Sequence, residues 1–192
     1  MVTIYTVGHS NHPIEKILSL LMGNGITAIA DVRSRPFSRR HLQFNKDRLA
    51  AKLAEHGIAY LFLGKELGAR SDDPSHYEGG KVQYSRLAAT ALFKSGIERV
   101  LAEAKERRLA LMCAEKEPLD CHRTLLVARA LEATGASILH ILSDGSIEAQ
   151  PQTMSRLIDT LRLSKDDMFQ DHGALVDAAC KLREDEIAYV KD

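Results

Sequence analysis

Cys113, Glu115, Cys121, His122 and Arg123 fall within the eleven positions of CAEKEPLDCHR. These residue types can supply a thiolate nucleophile, a general base, a proton carrier and a cation for an anionic ligand. Just before them, Leu109 to Met112 is an apolar run of the length expected for a buried strand. After them, Leu125, Leu126, Ala128, Leu131 and Ala133 recur at helical spacing. Cys113 to Asp120 then reads as a polar loop, with Asp120 the expected N-cap of the helix and Gly135 its stop. A thiol in a first helical turn faces unpaired N–H groups and the positive end of the helix dipole, which favours thiolate and equally a bound anion. Cys121 is therefore the expected reactive thiol. Cys113, closing an apolar strand, reads as a buried core thiol.

Known signatures exclude more than they select. Cys113 and Cys121 are eight apart with no CxxC or HxxxH nearby, which argues against zinc. Cysteine-dependent phosphatases bracket five residues between Cys and Arg, whereas Arg123 lies ten positions after Cys113 and two after Cys121. Gly64 to Gly68 is not a Walker loop, and no GxGxxG follows the first strand.

Five strands are expected to carry this chemistry: Val2 to Val7, Ile26 to Val32, Ile58 to Leu63, Leu109 to Met112 and Ser137 to Leu142. Helices alternate with them. Pro13 opens one with an apolar stripe at Ile14, Ile17, Leu18, Leu21 and Met22. Others span Asp47 to Glu55, the patterned stretch from Tyr84, and Thr153 to Leu163. This alternation predicts an α/β fold in three layers, a mainly parallel five-stranded sheet with helices on both faces. Residues 1–163 form that domain, and 164–192 a C-terminal helical extension patterned through Leu175, Val176, Ala179, Leu182 and Ile187. Gly64 to Gly80 shows no period and is expected to be a long loop, an active-site cover or an insert.

Ligands of open parallel sheets sit beyond the carboxyl ends of the strands. Those ends carry His9 and Ser10, Asp31 and Arg33, Cys113 and Glu115, and Ser143 and Asp144. Asp31 and Arg33, two apart, share a face and could pair with each other, or Asp31 could act as a base. His9 could tie its loop or move protons. The basic loop from Arg33 to His41 holds four arginines, at 33, 35, 39 and 40. Arg33 and Arg35, nearest the strand end, are the candidates for phosphate or carboxylate, with Phe37 available for stacking. Arg39 and Arg40 read as solvated.

Acids and bases balance at 26 each in 192 residues, so net charge favours neither nucleic acid nor membrane as a partner. Three cysteines without paired spacing suggest a reducing compartment. The absence of a signal-like leader or an apolar span makes a cytoplasmic protein the expectation.

Several motifs recur in one order: TVGHSN at 6–11, DVRSRPFSRR at 31–40, YLFLGKELG at 60–68, the YxxLA-like stretch from Tyr84, CAExxxxxCHR at 113–123 and HILSDG at 140–145. Together they resemble the Domain of Unknown Function 488 family of bacterial and archaeal proteins, over roughly residues 1 to 160. The resemblance implies an α/β cytoplasmic domain and brings no settled activity. Two positions depart from it. Relatives often have Gly-Gly where this chain reads Gly68-Ala69, and often a histidine just after the DG segment, where it reads Ala149-Gln150-Pro151.

Three functions are compatible with these residues. The first is an enzyme acting on a small anionic, phosphate- or nucleotide-like substrate. Ser10, Arg33, Arg35 and Arg123 would hold it, Asp31 or Glu115 would serve as base, Cys121 as nucleophile, and His9 or His122 as proton carrier. The second is a non-catalytic module that binds an anion or nucleic acid through the same arginines. The third, which spacing supports least, is a metal site of His9, Cys113, Cys121 and His122. No cofactor is named by the sequence.

Overall fold

A computed structural model of the chain describes residues 2–163 and 171–191. The elements run β1 (Thr3–Gly8), α1 (Ile14–Gly23), β2 (Ala28–Asp31), α2 (Lys46–Ala54), β3 (Ala59–Phe62) and α3 (Gly64–Leu67). A small hairpin follows, β4 (Tyr77–Glu78) and β5 (Lys81–Val82), then α4 (Tyr84–Ala89), α5 (Ala91–Glu106) and β6 (Leu109–Cys113). The chain continues through a π-helix (Arg123–Ala128) into α6 (Arg129–Glu132), then β7 (Ser137–Ile141), β8 (Ile147–Ala149), α7 (Gln150–Thr160) and α8 (His172–Ile187).

The main sheet has the order β3-β2-β6-β1-β7-β8. Its first five strands are parallel, and β8 pairs antiparallel with β7 at the edge. The five expected strands and the helices on both faces are thus present, and the sheet has a sixth strand. Three-residue β8 is too short to carry a readable period.

Side chains alternate between two cores because successive strand residues point to opposite faces. Ile4, Ala28, Ala30, Leu109, Leu111 and Cys113 join one core with Leu67, Phe93, Val100, Leu131, Leu157 and Ala179, from α3, α5, α6, α7 and α8. Tyr5, Val7, Ile29, Ala110 and Met112 face the other, closed by Ile17, Leu18 and Leu21 of α1 and Leu49 and Leu53 of α2. Every residue of β1 after Thr3 and of β2 and β6 is buried, as sheets covered on both faces require.

Two expectations change. Gly64 to Gly80 is not a featureless loop: it holds α3, a 3-10 turn at Pro74–His76 and the start of the β4–β5 hairpin. Gly79 and Gly80 turn that hairpin with φ of 55° and 79°, the two left-handed residues a two-residue turn needs. The C-terminal segment fastens it, with Val82 N–H donating to Tyr189 O at 2.9 Å and Lys191 N–H to Gly80 O at 2.8 Å.

The start of the central helix also moves. Pro118–Asp120 forms a 3-10 turn capped by the Glu117 carboxylate, so Asp120 ends that turn and caps nothing. Cys121 is extended, at φ −139° and ψ 137°, and its carbonyl accepts the N–H groups of Thr124 and Leu125. Cys121 itself occupies the capping position. The stop at Gly135 stands, at φ 88°.

α8 lies against α7 and the turn at Pro118–Asp120, burying Leu175, Ala179, Cys180 and Glu184. The Glu184 carboxylate accepts the Tyr84 N–H at 2.9 Å. The beginning of the patterned tail, before Asp171, lies outside the described residues. No helix among the described residues is long and apolar enough to cross a membrane.

Candidate functional site

β6 is inserted between β1 and β2, so the loop after Cys113 emerges between those carrying His9 and Asp31. His9 N–H donates to Cys113 O at 2.9 Å, Ser10 N–H to Ala114 O at 2.8 Å and Val32 N–H to Met112 O at 3.1 Å. These bonds lock three strand ends into one rim. Gly8 makes the approach possible, because a Cβ there would lie 1.9 Å from the Glu115 carbonyl oxygen.

On the β2 side of the rim the polar groups are consumed by one another. Asp31 is completely buried. Its Oδ1 accepts the backbone N–H and Nε of Arg33 at 3.1 and 2.9 Å, and its Oδ2 accepts Arg33 NH2 and the Tyr60 hydroxyl, both at 2.6 Å. Four donors fill the acceptor positions of that carboxylate. Arg33 also donates to Phe44 O at 2.9 Å and to His9 Nε2 at 3.0 Å. His9 Nδ1 donates to Ser10 O at 2.7 Å, and its ring stacks on Phe44 with centroids 4.1 Å apart. Burial and the neighbouring Arg33 charge lower its pKa to about 4, so it is a neutral acceptor at pH 7. Ser10 sits at φ 50°, and its hydroxyl donates to Asn11 Oδ1 at 3.3 Å.

Arg123 is likewise held inside, fully buried, where NH1 donates to Glu115 O at 2.6 Å and NH2 to Lys116 O at 3.3 Å. Its Nε reaches Thr6 Oγ1 at 3.4 Å, which begins a buried chain. The Thr6 hydroxyl donates to His140 Nδ1 at 2.8 Å, and His140 Nε2–H to Gln150 Oε1 at 2.6 Å. Gln150 thus fills the position where the resemblance led us to note a departure.

The β6 side is chemically different. Both thiols meet one carboxyl oxygen: Cys113 Sγ and Cys121 Sγ each lie 3.0 Å from Glu115 Oε2. His122 Nε2 donates to Val32 O at 3.0 Å, which turns Nδ1 toward Cys113 Sγ at 3.6 Å and Cys121 Sγ at 4.0 Å. Three acidic groups this close cannot all ionise. Burial, then the hydrogen bond to a charged Cys121, push the Cys113 thiol up. Burial opposes ionisation of Cys121 too, but the Cys113 hydrogen bond, the Arg123 charge and His122 together hold it well down. Burial and the Cys121 charge raise Glu115. Burial works to lower His122, and the hydrogen bond and charge of Cys121 outweigh it and raise it. Glu115 is exposed as a whole residue, yet protein surrounds most of its carboxyl group, and that burial is the main reason its pKa is raised.

This cluster forms one wall of a cleft of about 370 Å³, which Cys113, Glu115 and His122 line and Cys121 does not. Arg35 and Arg70 line the same cleft, with Phe37, Tyr84 and Tyr189. The Arg70 guanidinium stacks on Tyr189 at 4.5 Å. The Arg35 side chain is exposed and makes no hydrogen bond or ion pair among the described residues. Of the candidates, then, His9, Asp31, Arg33, Cys113, Glu115, Cys121, His122 and Arg123 gather at one end of the sheet. Arg35 alone among the arginines considered from sequence presents an unengaged guanidinium to the cleft. Arg70 and Tyr189 were not singled out. Arg70 sits in a segment without period, and Tyr189 arrives from the far end of the chain.

Architecture and site define an α/β protein with a strand-end cleft lined by Cys113, Glu115 and His122. The profile of the family described as Domain of unknown function DUF488 matches residues 13–130, and the chain belongs to that family. No curated protein matches the sequence, and no solved structure matches the fold.

Proposed function

We propose that the protein is an enzyme acting on a small anionic, phosphate- or nucleotide-like substrate in the strand-end cleft. The observation that carries this reading is the presence of two kinds of group around one cavity, Cys113, Glu115 and His122 together with Arg35 and Arg70. Arg35 and Arg70 hold the anion, because Arg33 and Arg123 spend their donors inside the protein. Glu115 is the general base or acid; its raised pKa moves it toward the range where proton transfer at neutral pH is efficient. Asp31, saturated by donors, and His9, neutral and fixed, position the rim. Cys121, which does not line the cleft, is the ionised thiol, and His122, which does, is its proton partner. Tyr84, Tyr189 and the 69 % exposed Phe37 suit a ring-bearing substrate.

A non-catalytic anion-binding module is the second reading, favoured by the internal consumption of Asp31, Arg33 and His9. One experiment separates the two. Inorganic phosphate and a panel of nucleoside monophosphates are titrated against the wild type, Arg35→Ala/Arg70→Ala and Glu115→Gln, and candidate phosphoesters are assayed for turnover. Loss of binding in the double arginine variant supports both readings. Glu115→Gln that binds but no longer turns over supports the enzyme. Undiminished anion binding in the double arginine variant overturns the site.

A further inference from the structure

We propose that Cys113, Glu115, Cys121 and His122 form a binding site for one zinc-class divalent cation. The juxtaposition that carries this is geometric: one ligand atom from each residue, Sγ, Oε, Sγ and Nδ1, lies within 4.8 Å of every other. Two sulfurs, an imidazole nitrogen and a carboxylate oxygen make a borderline-soft donor set suited to tetrahedral Zn²⁺.

Two independent observations point to a ligand there. The first is the orientation of His122. Its Nε2–H is committed to the Val32 carbonyl at 3.0 Å, the outer-shell bond that metal-bound histidines use to fix the ring, and this aims Nδ1 at the sulfurs. The second is Arg123. This fully buried guanidinium donates to two carbonyls and a hydroxyl and has no carboxylate partner among the described residues. A buried cation needs a counter-charge, and the adjoining cysteine cluster is the group that can supply it. Two thiolates, one carboxylate and a divalent ion carry one net negative charge, which Arg123 balances. Its bond to the Glu115 carbonyl also holds the loop on which the carboxylate ligand rides.

Loading replaces the protons that the thiols share with Glu115 and His122, so the cation enters as those protons leave to solvent. No atom changes oxidation state. Cys113, Glu115 and His122 line the cleft, and Cys121 does not. The ion therefore sits where a substrate held by Arg35 and Arg70 reaches it. This rests on the site proposed above, but in the loaded protein Glu115, Cys121 and His122 are ligands, so the proton-transfer roles given to them there belong to the metal-free form.

Cobalt is the probe. Reduced, chelator-treated full-length protein is titrated with Co²⁺ while absorption is followed, and metal content is measured on protein reloaded with Zn²⁺. The expected result is one ion per chain, a near-ultraviolet thiolate-to-cobalt charge-transfer band and visible bands of tetrahedral intensity, displaced by Zn²⁺. Cys113→Ser, Cys121→Ser and His122→Gln lose tight binding. Cys180→Ser, whose sulfur contacts Met154 instead, keeps it. Should the serine variants unfold, as circular dichroism would reveal, the wild type decides: Zn²⁺ must protect Cys113 and Cys121 from alkylation and leave Cys180 unprotected. Absence of the charge-transfer band in folded reduced wild type overturns the inference. So does a band that survives in a folded Cys113→Ser/Cys121→Ser variant, or a Cys113–Cys121 disulfide whose reduction yields protein that takes up no metal. Cobalt binding without turnover keeps the metal site and counts against the enzyme reading alone.

Discussion

Gly8→Ala tests how the rim is built. The new Cβ would stand 1.9 Å from the Glu115 carbonyl oxygen, 2.8 Å from its carbon and 3.1 Å from Arg123 NH1. Ordinary carbon–oxygen contact is roughly 3.4 Å, so the loop or the strand end must retreat by more than an ångström. Neither is the free end of a flexible side chain. The strand is held through His9 N–H to Cys113 O, and the loop through Arg123 NH1 to Glu115 O at 2.6 Å. Overpacking of this kind costs about 1–3 kcal/mol, and weakening the charged hydrogen bond adds about 1–2 kcal/mol. A loss of about 2–5 kcal/mol corresponds to a drop of roughly 5–15 °C in Tm for a chain of this size. Gly23→Ala is the control, since its Cβ meets nothing within 4 Å at the end of α1, and it should be neutral or slightly stabilising. Urea denaturation with constant m supplies the comparison. Because Glu115 moves with its carbonyl, the variant should also lose its difference in alkylation rate between Cys121 and Cys113. Gly8→Ala within about 0.5 kcal/mol of wild type would refute this account of the close approach.

Three further outcomes follow from the same geometry. His140, buried between Thr6 and Gln150, has its pKa lowered from 6.5 to about 4, chiefly by burial. The unfolded chain therefore binds more protons between those values. Its contribution is intact above about pH 6.5 and falls by about 3 kcal/mol as the pH approaches 4. In urea denaturation the stability gap between wild type and His140→Gln should narrow over that range, and a gap independent of pH would contradict the neutral assignment. In metal-free protein, Cys113 and Cys121 are almost equally buried, at 2 % and 1 % exposure, so ionisation decides their reactivity. Iodoacetamide at neutral pH should modify Cys121 before Cys113, and mass spectrometry finding Cys113 first would reverse the assignment of the thiolate. Arg123→Met should cost about 2–4 kcal/mol by leaving the Glu115 and Lys116 carbonyls without their donors, measured by urea denaturation; a change under about 0.5 kcal/mol would show that the loop needs no staple.

The sheet was legible because each parallel strand is an apolar run long enough to show itself between helical stripes. β8, with three residues, and the hairpin arms, with two each, fall below the length at which period means anything. The site was legible as a set of strand-end positions and illegible as a set of partnerships. Strand spacing allowed Asp31 to pair with Arg33 but left it open as a base, and the Tyr60 hydroxyl that completes its saturation comes from a neighbouring strand. Arg123 resembles an anion clamp in the sequence and proves to be tied to the carbonyls of Glu115 and Lys116, partners that only the folded loop supplies. The eight-residue gap between Cys113 and Cys121 argued against a metal for a related reason. Spacing rules for zinc describe ligands carried on one tight turn or one helix face. Here one sulfur ends a strand, the other caps a helix, and the 3-10 turn at Pro118–Asp120 folds the intervening chain so that both reach the same carboxyl oxygen. His9, which the sequence groups with them, is diverted to Arg33 and Ser10, and Glu115 takes the fourth place. A ligand set assembled from a strand end, a loop and a helix cap has no fixed sequence spacing, so a missing motif says nothing against it.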